Sequence, residues 1–240
     1  MSINNQLFAG KVALVTGASQ GFGAAVAIWL ASQGAHVCTL ARSKKGLERT
    51  DDAIRQLGGE STLILSDLRK ASDIAALGPA LAQRFAALDI LIGNAALLGP
   101  LMPVTHMPPD IWQDIFTTNV TANMQLLRSL DPLLRTAPYG RAVFVTSSVA
   151  QAPRAFWGGY AASKAALESL VTTYAMENAH TSVKANCFNP GAMQTSMRAS
   201  AFPGENPQTL PDPGAIAPLL APLLVQDCPH NGAVMNANAR

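Results

Sequence analysis

The stretch KVALVTGASQGFG, residues 11–23, sets a run of apolar and β-branched residues directly against a glycine-rich turn. KVALVT has the length and composition of a buried strand. Gly17, Gly21 and Gly23 then permit a tight turn that brings backbone N–H groups close to a diphosphate, at the positive end of a helix starting near Gly21. The competing reading is a glycine-rich strand-to-helix turn that holds no ligand. The spacing is not GxGxxG, and the GK[ST] ending of an NTPase phosphate loop is absent, so the lysine that such enzymes set on the β- and γ-phosphates is missing.

Outward from this junction the pattern repeats. AHVCTLA precedes a helical pattern through Leu57, STLILS one through Phe85, and LDILIGN a long one over 109–134; RAVFVTSS precedes another over 158–178. SVKANCFN reads as a sixth strand, and GAVMN as the last after the short apolar helix AIAPLLAPLLVQ. Regular succession of strand and helix implies parallel strands with right-handed crossovers, and near-continuous apolar strands imply a sheet covered on both faces. The expected fold is therefore α/β, a doubly wound parallel sheet of about seven strands in one domain over 1–240. Residues 191–213, rich in Pro, Ser, Asn and Gln, read as an irregular excursion at a strand's carboxyl end, where such sheets bind ligands; a lid is expected at about 192–212.

Composition excludes several classes. Apolar residues make up 49% of the chain and charged residues 13%, which argues against disorder. A net charge of +2 with scattered basic residues gives no footprint for nucleic acid or an acidic membrane. No apolar run approaches the roughly 18 residues of a membrane span, and the amino terminus lacks a basic leader with an apolar core, so a cytoplasmic protein is expected. Cys38, Cys187 and Cys228 read as reduced core thiols, and the four histidines have no ligand spacing, so no metal is expected.

YAASKAAL, residues 160–167, places Tyr160 and Lys164 four apart on one helix face. A surface tyrosine over a lysine stem is the bland alternative. Together TGASQGFG at 16–23, NAA at 94–96, Asn119, Ser147, YAASK at 160–164 and NPG at 189–191 resemble the short-chain dehydrogenase/reductase family, in its compact single-domain branch with a Rossmann fold. The resemblance spans nearly the whole chain and implies an oxidoreductase acting on a small or medium apolar carbonyl or secondary alcohol.

By that resemblance the cofactor site comprises Gly17, Ser19, Gln20, Gly21, Phe22 and Gly23, with Asp67 and Leu68 at the adenine and Asn94 and Ala95 under the adenosine ribose. Pro190, Gly191, Met193 and Thr195 would hold the nicotinamide and diphosphate, and Tyr160 and Lys164 the nicotinamide ribose. Asp67 reads otherwise as the N-cap of the next helix. The segment GNAA departs from the family's NNAG at Gly93 and Ala96. At the end of the second strand, where an NAD enzyme sets a carboxylate, stands Ala41; Arg42 follows and can pair with a 2′-phosphate. This favours NADP over NAD, while Gln20 stands where NADP-selective relatives often carry a basic residue.

The catalytic set implied is Asn119, Ser147, Tyr160 and Lys164. A lysine ammonium about 4 Å from the phenol, at an effective dielectric of about 20, favours phenolate by at most roughly 4 kcal/mol, about three pKa units, and carries Tyr160 toward neutrality. Ser147 supplies a second donor to the carbonyl oxygen, with Ser148 the alternate. By the resemblance Asn119 would order a relay water between the lysine and solvent, with Asn123 its competitor. Leu97, Leu98, Met102, Phe156, Trp157, Met193, Met197 and Phe202 are candidate walls of an apolar pocket. A homodimer or homotetramer is expected, paired chiefly through the helices over 109–134 and 158–178. A redox-sensing regulator with little turnover is the second functional reading, and an epimerase or dehydratase the third.

Overall fold

The computed structural model describes residues 6–237, so the outermost residues of the expected 1–240 domain lie outside it. The strands are β1 (Val12–Thr16), β2 (His36–Ala41), β3 (Ser61–Leu65), β4 (Ile90–Gly93), β5 (Arg141–Val145), β6 (Lys184–Asn189) and β7 (Val234–Asn236). They form one parallel sheet in the order β3-β2-β1-β4-β5-β6-β7. The order reverses between β1 and β4, and there the carboxyl ends open a crevice.

The period-two pattern of the strands splits the core into two layers. Ala13 and Val15 pack with Val26 and Leu30 of α1 (Gly21–Ser32), whereas Leu14 packs on the other face with Leu91, Leu126 and Phe144. The helices α2 (Lys44–Gln56), α3 (Ala71–Ala82) and α6 (Gly158–Glu177) complete the crossovers. At the β3 edge the second face is open, with Leu65 exposed. The helix expected through Phe85 stops at Ala82, and Phe85 instead packs against His36 of β2.

Two expected elements differ. The long helix over 109–134 is divided into α4 (Pro109–Phe116), a π-helical turn (Thr117–Thr121) and α5 (Ala122–Thr136). Asn119, fully buried in that turn, bonds sideways to other elements, and the wider turn accommodates this. The excursion after β6 is not wholly irregular: it carries α7 (Ser196–Ala201), whose cap is Thr195 Oγ1 accepting from the Arg198 amide at 3.1 Å. Beyond it, α8 (Pro213–Ile216), a 3₁₀ turn (Ala217–Leu220) and α9 (Ala221–Leu224) replace the single apolar helix, because Pro213, Pro218 and Pro222 each restart the helix rather than continue it.

Arg141, 2% exposed at the start of β5, fastens this carboxyl-terminal layer. Its guanidinium donates to the carbonyls of Gly140, Ser182, Val225 and Gln226. Removal would take away the donor to the Ser182 and Gln226 carbonyls, whereas the Gly140 and Val225 carbonyls keep the amides of Lys184 and Cys228. Arg141→Met is therefore expected to lower the unfolding free energy by about 2–4 kcal/mol, read as a fall in the urea midpoint; an unchanged midpoint would show that water replaces the guanidinium without cost.

Candidate active site

A cleft of about 890 Å³ runs along the carboxyl ends of the strands. Every cofactor and catalytic residue the sequence assigns to the site lines it, with the exception of Asn119; of the candidate apolar walls, Met102, Phe156 and Phe202 do not. At one end is the glycine loop. Gly17 has φ +67°, and a Cβ there would meet the Asn94 amide nitrogen at 2.9 Å. A Cβ on Gly23 would lie 2.4 Å from the Gly17 carbonyl oxygen, so side chains are excluded where the loop closes on the helix. Gln20, the N-cap of α1, makes no side-chain cap bond, which leaves the first-turn amides available to a ligand in the cleft.

Thr16 holds the NAA segment beneath: its hydroxyl accepts from the amides of Asn94 (2.9 Å) and Ala95 (3.0 Å), and Asn94 Nδ2 donates to the Thr16 carbonyl at 2.9 Å. The replaced first asparagine is accounted for by packing, since a Cβ at Gly93 would meet the Phe144 ring at 2.2 Å.

At the far end of β2, Arg42 is exposed and has no ion pair or side-chain hydrogen bond among the described residues. The Asp67 carboxylate feels Arg42, but it is already matched by Arg69, which donates through its amide at 3.0 Å and its guanidinium at 2.8 Å. That bond, foremost, holds Asp67 at about 2. Asp67 thus closes an Asx turn with Arg69 and is not the cap of α3, which begins beyond Lys70. Beside it, the buried Ser66 hydroxyl has no partner among the described residues. Ser66 and Arg69 were missed from sequence, where a loop serine and a basic residue give no signal.

At the other end lie Ser147, Tyr160 and Lys164. Lys164, 1% exposed, donates from Nζ to the Val145 carbonyl at 2.6 Å, where β5 ends. Its ammonium lies 5.7 Å from the centroid of the Tyr160 ring. Burial dominates both groups: it pushes the Tyr160 phenol up to about 12, with the Ser147 hydroxyl pulling the other way, and the Lys164 ammonium down to about 8, with Cys187 and Glu168 opposing. The expectation of a phenol near neutrality does not hold for the protein alone, because desolvation raises Tyr160 by more than the Ser147 hydroxyl lowers it. Ser148 starts a 3₁₀ turn (Ser148–Ala150), leaving Ser147 extended beside Tyr160.

Asn119 stands behind this wall. Its Oδ1 accepts from the Leu97 amide at 2.7 Å, and both amide hydrogens are used, on the Leu97 carbonyl and Ser163 Oγ at 2.9 Å each. Ser163 in turn donates to the Tyr160 carbonyl at 2.8 Å. The side chain therefore positions α6 against the loop after β4, and among the described residues the Asn123 side chain bonds only to the Asn119 carbonyl. A further support that sequence did not show is Glu168, one turn beyond Lys164, which accepts from Thr146 Oγ1 at 2.6 Å and fixes the strand end next to Ser147.

The family model described as short chain dehydrogenase matches residues 11–206. The chain belongs to the short-chain dehydrogenase/reductase family. It is 39% identical over 220 residues to a protein of Escherichia coli (strain K12) named "Uncharacterized oxidoreductase YciK", covering 90% of this chain and 87% of that one. It is 30% identical to the 2,3-dihydro-2,3-dihydroxybenzoate dehydrogenase of Bacillus subtilis (strain 168), over 82% of this chain and 75% of the relative. Among solved structures, a short chain dehydrogenase of Escherichia coli CFT073 complexed with NADPH superposes with a TM-score of 0.94 at 36% identity, covering 98% of this chain and 99% of that one. As a member of this family the chain is an oxidoreductase that uses a nicotinamide cofactor. Among the described residues no helix is long and apolar enough to cross a membrane, and no metal-ligating group of three is found.

The dehydrogenase's buried lysine makes a prediction with a definite sign. An unfolded lysine titrates near 10.5 and the folded Lys164 near 8, so between these values the unfolded chain binds more protons and stability rises with pH. Relative to Lys164→Met, the wild type should gain about 3 kcal/mol in urea unfolding free energy across that window. Parallel pH dependence of the two proteins would contradict it.

Proposed function

We propose that the chain is an NADP(H)-dependent reductase of an apolar carbonyl compound, with Tyr160 as proton donor. The observation that carries this is Tyr160 itself, a buried phenol held protonated beside Ser147, in the same cleft as the glycine loop. The residues fit the cofactor. The loop is too tight for side chains at Gly17 and Gly23, the first turn of α1 lines the cleft with no side-chain cap, and the Ser66 hydroxyl and Arg42 guanidinium lack partners among the described residues. Arg42 can fork onto a 2′-phosphate, and the Escherichia coli CFT073 neighbour's complex with NADPH supports the same choice.

When bound, the reduced nicotinamide supplies a hydride to the carbonyl carbon. Ser147 donates a hydrogen bond to the carbonyl oxygen, polarising the bond as its electron pair moves onto oxygen. The Tyr160 O–H bond breaks and its proton goes to that oxygen, giving the alcohol. The resulting phenolate is stabilised by the Lys164 ammonium on the same helix face and regains a proton from solvent. In the protein alone burial keeps Tyr160 protonated, so the proton it donates is in place before the carbonyl arrives.

Leu98, Val149, Trp157 and Met197 form an apolar wall around Tyr160. Residues 192–212 form the lid: Ser196 accepts from Gln20 at 3.4 Å, and Thr195 lies 3.4 Å from where a Gly21 Cβ would stand, so the excursion already rests on the phosphate end. Exposed Met124 on α5 and Met176 on α6 support pairing of two copies through these helices; a monomer mass by light scattering would contradict that.

One assay panel tests the reading: aldehydes and ketones with NADPH and NADH for wild type, Tyr160→Phe and Arg42→Ala. Tyr160→Phe should lower turnover by about 10²–10⁴ while keeping NADPH binding. Arg42→Ala should weaken NADPH about tenfold or more and leave NADH nearly unchanged. Wild-type turnover in the phenylalanine variant would remove Tyr160 from the chemistry, and equal loss with both nucleotides would remove Arg42 from 2′-phosphate recognition.

A further inference from the structure

Not all of the cleft's positive charge lies at the end proposed for the nucleotide's phosphates. Five basic side chains line it: Arg42, Arg69, Arg154, Lys164 and Arg198. Three are already committed. Arg69 is matched by Asp67 at 2.8 Å and by Asp114 at 3.9 Å. Arg198 forks onto Glu205, with both bonds at 2.6 Å. Lys164 is buried on the Val145 carbonyl. Two remain without an ion pair or side-chain hydrogen bond among the described residues, and they stand at opposite ends: Arg42 after β2 and Arg154 six residues before Tyr160.

The segment that carries Arg154 is held under strain. Phe156, two residues on, has φ +72°, the only non-glycine residue with positive φ among those described. An aromatic residue occupies that region only when its surroundings impose it. Its carbonyl accepts from the Met102 amide at 2.9 Å, which ties the segment to the loop after β4. Trp157 follows, packed at 6.1 Å against the Tyr160 ring and at 5.7 Å against Phe202. The strained turn thus sets the backbone of Arg154, whose carbonyl accepts from the Trp157 amide at 3.2 Å, beside the aromatic wall and the proton donor.

We propose that Arg154 is a specificity-determining residue that binds a carboxylate of the substrate, so that the reductase takes carbonyl compounds with an apolar or aromatic body and an anionic end. This rests on the reductase reading given above. A guanidinium forks onto a carboxylate bidentately, and a carboxylate anchored at Arg154 lays the body along Trp157 with its carbonyl toward Tyr160. No carboxylate of the cleft competes there, since Asp67 and Asp114 lie at the adenosine end against Arg69.

Two ketones that differ only in the anion, acetophenone and 4-acetylbenzoate, test it with NADPH as reductant. Wild type should favour 4-acetylbenzoate in kcat/KM, and Arg154→Gln should lose about tenfold to a hundredfold on that substrate while changing less than about twofold on acetophenone. Arg154→Lys should recover part of the loss. Equal rates on the two ketones in wild type, or equal loss on both in the glutamine variant, would overturn the assignment. Binding decides independently of turnover: benzoate should quench tryptophan fluorescence saturably in wild type with NADP⁺ present, and at least about tenfold more weakly in Arg154→Gln. Turnover of neither ketone would count against the reductase reading alone, whereas undisturbed or absent benzoate binding would sink the anion site.

Discussion

A lysine side chain driven into the protein until 1% of it is exposed, with a backbone carbonyl as its contact, is the feature on which the site turns. Burial of an ammonium without a touching carboxylate costs stability, and the depressed pKa near 8 records that cost. The return is position. Bonded to Val145 at the end of β5, Lys164 holds α6 against the strand that delivers Ser147, and keeps a cation below the Tyr160 ring. The supporting bonds converge on the same place: Glu168 on Thr146, Asn119 on Leu97 and Ser163, and Ser163 on Tyr160. Serine, tyrosine and lysine thus stand on two rigid elements whose relative placement is fixed by polar contacts on either side.

The cleft separates its two tasks by electrostatics. At the end proposed for the adenosine, Asp67 and Asp114 are both turned toward Arg69, which leaves the exposed Arg42 as the guanidinium with no ion pair among the described residues. At the chemical end the environment is apolar, and it keeps the phenol protonated and the lysine close to its point of titration. The glycine loop between them contributes backbone alone, because a Cβ at Gly17 or Gly23 collides with Asn94.

Much of this was legible in the sequence, for identifiable reasons. The strands were found because each is an apolar run bounded by turn residues, and a parallel sheet covered on both faces leaves that signature. The residues of the cleft were found because glycine, tyrosine and lysine at fixed separations carry a family pattern. What the sequence hid depended on tertiary contacts. The π turn at Thr117–Thr121 follows from Asn119 reaching Leu97, a bond between segments far apart in the chain. Helical spacing suggested a close cation for Tyr160 and said nothing of desolvation, so the direction of its pKa shift was misjudged. Glu168 and Arg69 look like solvated charges until their partners are seen.

The central claim is that burial, more than the neighbouring cation, sets the protonation of Tyr160 in the protein on its own. Carbon-13 NMR of ring-labelled tyrosine, with the Tyr160 signal identified by its loss in Tyr160→Phe, measures this directly in the full chain without added nucleotide. The account predicts a midpoint of about 12. A midpoint below the ordinary tyrosine value of about 10 would show the cation in command and would contradict it.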